Sequence, residues 1–224
     1  YDDRPSRLFD GLEHIRLTIH LLGRKSEDSN HYTSKYYKWY GSERHNLLQL
    51  LQFQSMPESI VPNSLLKISD SIEASICHRI STKTKPLSMF FSKTGNSEIY
   101  YSRKVGYFLQ ILDFEPIVLD GNGERRPPSE FKALAFSTDL YAKAALCALY
   151  SNLFYWFITI FSDCRHVNKR EVTLLPIHLD ELKGNSYIST AEKLMKSLIE
   201  NSEEKIMKFK HDTLTVQCIY QKPS

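Results

Sequence analysis

The chain has little cysteine, no long apolar run and no strong excess of charge of one sign. Four cysteines, Cys77, Cys147, Cys164 and Cys218, are widely spaced among 224 residues. None forms a Cys-x-x-Cys pair or has a histidine at zinc-finger spacing, so neither a zinc module nor a disulfide scaffold is expected, and no metal is implied. The longest apolar candidate, residues 144–161, is interrupted by Ser151, Asn152 and Thr159, which argues against a membrane span. No basic stretch followed by an apolar core opens the chain, so no secretion signal is expected, and a cytoplasmic protein without a membrane partner is the simplest reading. Twenty-nine Lys and Arg against 26 Asp and Glu leave a net charge of +3, compatible with nucleic-acid binding without demanding it. There is no internal repeat and no low-complexity tract.

What is present is an ordinary globular composition: 42% hydrophobic and 25% charged residues, enough to bury a core in one large domain or two small ones. Near the front, Ile15, Leu17, Ile19 and Leu21 alternate with Arg16, Thr18 and His20, the period of a strand with one buried face. A single strand needs a sheet, and little that follows could supply one, so the segment reads as the end of something larger. Residues 24–30 are polar and read as a linker. Tyr32, Tyr36, Tyr37, Trp39 and Tyr40 form an aromatic cluster of core-edge character.

Helices are predicted over residues 42–53, with Leu47, Leu48 and Leu51 on one face, and over 69–80, where isoleucines recur every four residues. Thr94-Gly95-Asn96 between Phe90-Phe91 and Ile99-Tyr100-Tyr101 suggests a hairpin, with further strands at 105–112 and 116–119. A long loop follows, carrying Arg125 and Arg126. Residues 138–161 are expected to form one long buried helix, 172–177 a short strand, and 190–210 an amphipathic helix with Leu194, Met195, Leu198, Ile199 and Ile206 on its apolar stripe. The predicted class is α/β in the mixed α+β sense: a small mixed or antiparallel sheet, a long buried helix and a C-terminal amphipathic helix.

Arg4-Pro5-Ser6-Arg7-Leu8-Phe9-Asp10-Gly11 followed by Arg16-Leu17-Thr18-Ile19 resembles the segment that closes the catalytic domain of DNA adenine methyltransferases in type IIG restriction-modification systems. Residues 152–156 (NLFYW), running into 162–171 (SDCRHVNKRE), are similar to a helix and loop late in the target recognition domain of the same family. The resemblance implies that residues 1–29 are the terminal strand of a truncated catalytic domain plus linker. Residues 30–224 would then be the recognition domain with a C-terminal support helix. The family's chemistry requires a glycine-bearing loop for S-adenosylmethionine and an Asn or Asp-Pro-Pro-aromatic motif for the flipped adenine. Neither stands in this sequence, where Pro127-Pro128 follows Arg126. The resemblance therefore implies a reader of double-stranded DNA with no catalytic residue and no cofactor of its own, S-adenosylmethionine belonging to the catalytic domain of the full-length protein.

The candidate DNA contacts are basic. Arg165, Asn168, Lys169 and Arg170 lie in a loop after a helix and combine charge for phosphate with side chains that pair guanine or adenine edges. Arg125, Arg126 and Lys132 form a second cluster; Arg103 and Lys104, a third. The bland reading of the 165–170 loop is a solvated basic loop or an internal ion pair with Asp163 or Glu171. Arg4 and Arg7 are assigned first to tying the closing segment down. Two other classes stay open. Asp120 with Glu130 and Lys132 has the spacing of a magnesium-dependent restriction nuclease, although residues 130–136 read as a helix entrance. A protein-interaction module would dock through the helix at 190–210. Asp163-Cys164-Arg165-His166 places a thiol near a histidine, but sequence neighbours do not face each other as proton transfer requires.

Overall fold

The computed structural model describes residues 1–13, 15–24, 30–57, 60–82, 84–105, 109–119, 122–178 and 186–201, and the backbone of 205–208 and 215–218. They form mixed α+β structure in two compact units, one of Tyr1–Thr84 with Trp156–Cys164, the other of Lys85–Tyr155 with Arg165–Ser224. The first unit carries residues 1–24 together with 30–84, whereas the division expected from sequence lay at 29. The linker expected at 24–30 falls almost wholly outside the described residues. No single helix among the described residues is long and apolar enough to cross a membrane.

In the first unit, β1 (Tyr32–Thr33) pairs antiparallel with β2 (Gln54–Ser55), and α1 spans Ser71–Ser81. Asp70 caps α1 by accepting the Glu73 N–H at 2.9 Å, so the expected helix begins one residue past its cap. Trp39, Val61, Leu66, Ile68, Cys77, Phe157 and Ile158 make the core, each fully buried. The helix expected at 42–53 is instead a 3₁₀ turn at Gly41–Asn46. Leu47 is buried but Leu48 is 70% exposed, so the leucines never form one continuous buried face, and a short segment without one does not hold an α-helix. The strand expected from Ile15 to Leu21 is also absent. A reciprocal backbone pair joins Tyr1 and Leu17, at 2.8 and 3.2 Å, yet Ile15 and Ile19 are about half exposed and Leu21 is 92% exposed. Alternation alone does not make a strand where no described neighbour offers it a ladder.

The second unit is built on a three-stranded antiparallel sheet, in which β4 (Ser97–Ser102) lies between β5 (Ile111–Leu112) and β8 (Phe131–Phe136). Two further strands, β6 (Val118–Leu119) and β7 (Arg125–Arg126), join a second antiparallel sheet with β10 (Lys205–Lys208) and β11 (Thr215–Cys218). Short β3 (Lys85–Pro86) pairs with β9 (Pro176–Ile177). The predicted hairpin around Gly95 gives way to a longer connection. β4 pairs in register with β8, from Ser97 opposite Phe136 to Ser102 opposite Phe131, while Phe91 bridges Phe136. Of residues 130–136, read as a helix entrance, 131–136 are thus a strand; six cross-strand pairs outweigh the helical preference of Lys132, Ala133, Leu134 and Ala135.

The long helix expected at 138–161 is two, α2 (Asp139–Leu149) and α3 (Asn152–Phe161). Ser151 divides them: its hydroxyl donates to the Ala148 carbonyl at 2.6 Å and accepts the Phe154 N–H at 3.2 Å, ending one helix and capping the next. Residues 169–173, partly read as strand, form the short helix α4 (Lys169–Thr173), and only its exit is β9. The last helix, α5, spans Ser186–Glu200 with Ala191, Met195 and Leu198 buried, and it packs on α2. It ends ten residues before its predicted terminus, Ile206 falling in β10.

Candidate nucleic-acid interface

The β4 and β8 strands end beside a loop that sequence reasoning could place only by composition. Beyond Ser102 the chain continues as an extended strap, and the Arg103 N–H donates to the Glu130 carbonyl at 2.8 Å, prolonging the β4–β8 ladder by one step. On its other side the strap meets residues 165–167. The Val167 N–H donates to the Arg103 carbonyl at 2.8 Å, the Val105 N–H donates to the Arg165 carbonyl at 3.2 Å, and Lys104 and His166 form an antiparallel bridge. Three segments far apart in sequence therefore lie side by side, each carrying cations. Val167 is 1% exposed and anchors the loop, while Lys104, Lys132, His166, Asn168, Lys169 and Arg170 are exposed and Arg103 and Arg165 half-buried.

Position follows from backbone in each case. Lys132 sits on β8 opposite Tyr101. Asn168 is the N-cap of α4, and its N–H donates to the Glu171 carboxylate at 2.7 Å. Glu171 is 5% exposed, so its charge is turned toward the helix start, where it meets the positive end of the backbone dipoles. Lys169 and Arg170 occupy the exposed first turn. Lys104 Nζ stands 3.8 Å from Glu130 Oε1, with both side chains largely solvated, an ion pair that contributes little to stability.

The clusters predicted at 103–104 and 165–170 are thus brought together with Lys132. Arg125 and Arg126 are not part of this strap: they lie on β7 of the second sheet, where Arg125 Nη2 pairs with Glu115 Oε2 at 3.2 Å. His166, which is not among the expected contacts, is exposed in the same basic loop. Its place between Arg165 and Asn168 was the available signal, since any residue in an exposed basic loop shares the surface. Asp120 lies outside the described residues. The described members of the nuclease pattern, Glu130 and Lys132, stand at and just inside the start of a strand.

The thiol of Cys164 lies against Lys67 and the backbone of the turn that follows α3. Its sulfur lies 3.5 Å from Lys67 Nζ and within reach of the Thr159 and Ser162 carbonyls at 3.5 and 3.6 Å. Of the two arginines of the opening motif, Arg4 is exposed and Arg7 is paired with acidic neighbours in the same segment. Arg7 Nη1 donates to Glu13 Oε1 at 2.6 Å, and Arg44 donates to the carbonyls of Leu8 and Arg7 at 2.9 and 2.8 Å. Arg16 binds Asp2 at 3.1 Å and the Asp163 carbonyl at 2.6 Å. Burial by itself would raise the Asp2 carboxyl; contacts with Tyr36, Asp3 and Arg16 outweigh it and hold the group at about 2. Burial, then the neighbouring Asp2 carboxylate, push the Tyr36 phenol upward.

No protein-family model, curated protein or solved structure matches the chain. Among the described residues, β8 is the strand that runs directly into an α-helix, and its turn is Ser137-Thr138, without glycine. These residues do not fit the glycine-bearing loop that S-adenosylmethionine requires, so no step through that cofactor is assigned to them.

Proposed function

We propose that this chain is the DNA-recognition part of a restriction-modification adenine methyltransferase, holding duplex DNA and presenting one adenine to a catalytic domain of the same full-length protein. The observation that supports it best is the strap. Arg103, Lys104, Lys132, Arg165, Lys169 and Arg170 gather where β4, β8 and the 165–170 loop run side by side, opposed within it by Glu130. Phosphate binding needs such a local concentration of cations on fixed backbone, whatever the total charge. Asn168 adds an amide able to pair an adenine edge in the major groove. The two sequence resemblances, in the family's order, favour a methyltransferase context over other DNA binders. Methylation would occur on a base turned out of the helix into the partner domain, which would carry S-adenosylmethionine.

The test is fluorescence anisotropy with labelled duplex DNA across a salt series. Binding should weaken steeply with salt, and Lys169→Ala with Arg170→Ala should lower the slope by about 1 for each phosphate no longer neutralised. Arg125→Ala, whose guanidinium is engaged by Glu115, should change it less. Absence of binding at low salt would overturn the reading.

A second reading has one specific support. Glu130 immediately precedes β8 and Lys132 lies in it, near the strand-end placement that a magnesium-dependent nuclease requires. Magnesium-dependent nicking of plasmid that disappears in Glu130→Gln would favour it; a reader shows no cleavage to lose.

A further inference from the structure

The first unit holds a second reactive grouping that DNA binding does not use. Lys67 lies between Leu66 and Ile68, both fully buried, and its N–H donates to the Ile160 carbonyl at 2.6 Å. That backbone bond sets the side chain over the turn following α3. There Nζ donates to the Ser162 carbonyl at 2.5 Å, stands 3.5 Å from Cys164 Sγ, and lies 5.3 Å from the centre of the Tyr36 ring. Cys164 is 6% exposed and has φ of 57°, a left-handed conformation uncommon for a residue with a side chain. The Cys164 N–H donates to the Ser162 hydroxyl at 3.0 Å, so the turn holds the sulfur toward the lysine.

We propose that Cys164 and Lys67 form an oxidative modification site that takes a peroxide and closes into a covalent sulfur–nitrogen cross-link. In the first step the Cys164 sulfur attacks one peroxide oxygen and the O–O bond breaks. The thiol is oxidised by two electrons to a sulfenic acid, and the peroxide is reduced to water. In the second, the Lys67 ammonium loses a proton to solvent and its nitrogen lone pair attacks the sulfenic sulfur. An S–N bond forms, the S–O bond breaks, and the hydroxyl leaves as water with the second amine proton. Two equivalents of an external thiol reverse the link, returning thiol and amine and leaving a disulfide.

Three features suit the pair to this chemistry beyond a plain hydrogen bond. The amine and sulfur already touch, so capture competes with further oxidation of the sulfenic acid. Burial lowers the pKa of Lys67, against the opposing pull of the Cys164 sulfur, which favours the neutral, nucleophilic amine. The burial of Cys164 and of the residues flanking Lys67 limits water at the bond and slows hydrolysis of the product.

The experiment is peptide mapping by mass spectrometry of the folded chain after hydrogen peroxide, with and without a dithiol reductant. The expected product is a Cys164 peptide joined to a Lys67 peptide, lighter than their sum by two hydrogen atoms, and cleaved on reduction. A 1,3-dione probe for sulfenic acid should label Cys164 several-fold more in Lys67→Arg than in the natural chain. Either Cys164 recovered only as sulfinic or sulfonic acid, or equal labelling in the two chains, overturns the proposal. So does an unmodified Cys164 under conditions that oxidise Cys147. Should Lys67→Arg fail to fold, the cross-linked peptide of the natural chain decides alone.

Discussion

Gly95 illustrates how a single residue can be fixed by something far from it in the chain. A Cβ built there would lie 1.9 Å from the carbonyl oxygen of Phe136, so the approach of the chain to β8 leaves no room for any side chain. Gly95→Ala should therefore destabilise the protein by about 1–3 kcal/mol through overpacking, read as a lower denaturant midpoint at unchanged slope. The sequence marks Gly95 as a turn residue, which is right about the residue type but not its reason. Asp2 offers a prediction in pH. Its folded pKa, about 2, lies below the ordinary 3.8, so its contribution to stability is complete above about pH 4 and is lost as pH falls toward 2. Thermal melts of natural chain and Asp2→Asn should differ at neutral pH and converge near pH 2. The contacts of Arg16 and Lys67 are not legible in sequence, because their partners Asp163, Ser162 and Cys164 lie about a hundred or more positions away and no local pattern connects them.

Among the elements, those with local signals were legible and those made by pairing were not. Helix α1 carries a cap, a four-residue apolar recurrence and enough length, and the sequence places it nearly to the residue. The break between α2 and α3 was also written locally, in Ser151, but apolar residues on both sides hid it. Ser151→Ala should remove the hydroxyl that caps α3 and cost about 1 kcal/mol, with loss of helical circular dichroism smaller than loss of denaturant midpoint. Strand β8 runs the other way. Its residues favour helix, and only six pairs with β4, some thirty positions earlier, make it a strand. The opening segment shows the converse: a period-two pattern in which Ile15, Ile19 and Leu21 stay exposed.

For the molecule as a whole, the relevant quantity is where charge sits and not how much there is. A net charge of +3 is modest, yet the strap concentrates six cations on three neighbouring segments. The salt dependence of the proposed DNA binding belongs to this scale, because counterion release counts phosphates neutralised over a surface and not any single contact. Replacing cations of the strap should lower that dependence together with affinity, whereas replacing the Glu115-paired Arg125 on the second sheet should leave it nearly unchanged, as the same anisotropy series would read. The three basic clusters were visible in sequence. That Arg103, Lys104, Lys132 and the 165–170 loop converge while Arg125 and Arg126 lie on another sheet was not, since it depends on the register of β4 against β8 and on the bridge between Lys104 and His166.

By itself the sequence determined the mixed α+β class, the position of α1, and the stock of basic side chains, because propensity, capping and composition act over a few neighbouring residues. The tertiary structure alone decided the strand at 131–136, the strap that unites residues 103–104, 132 and 165–170, and the approach of Lys67 to Cys164. Each of these rests on backbone hydrogen bonds or close approaches between segments distant in the chain, whose free energy exists only once the chain has folded.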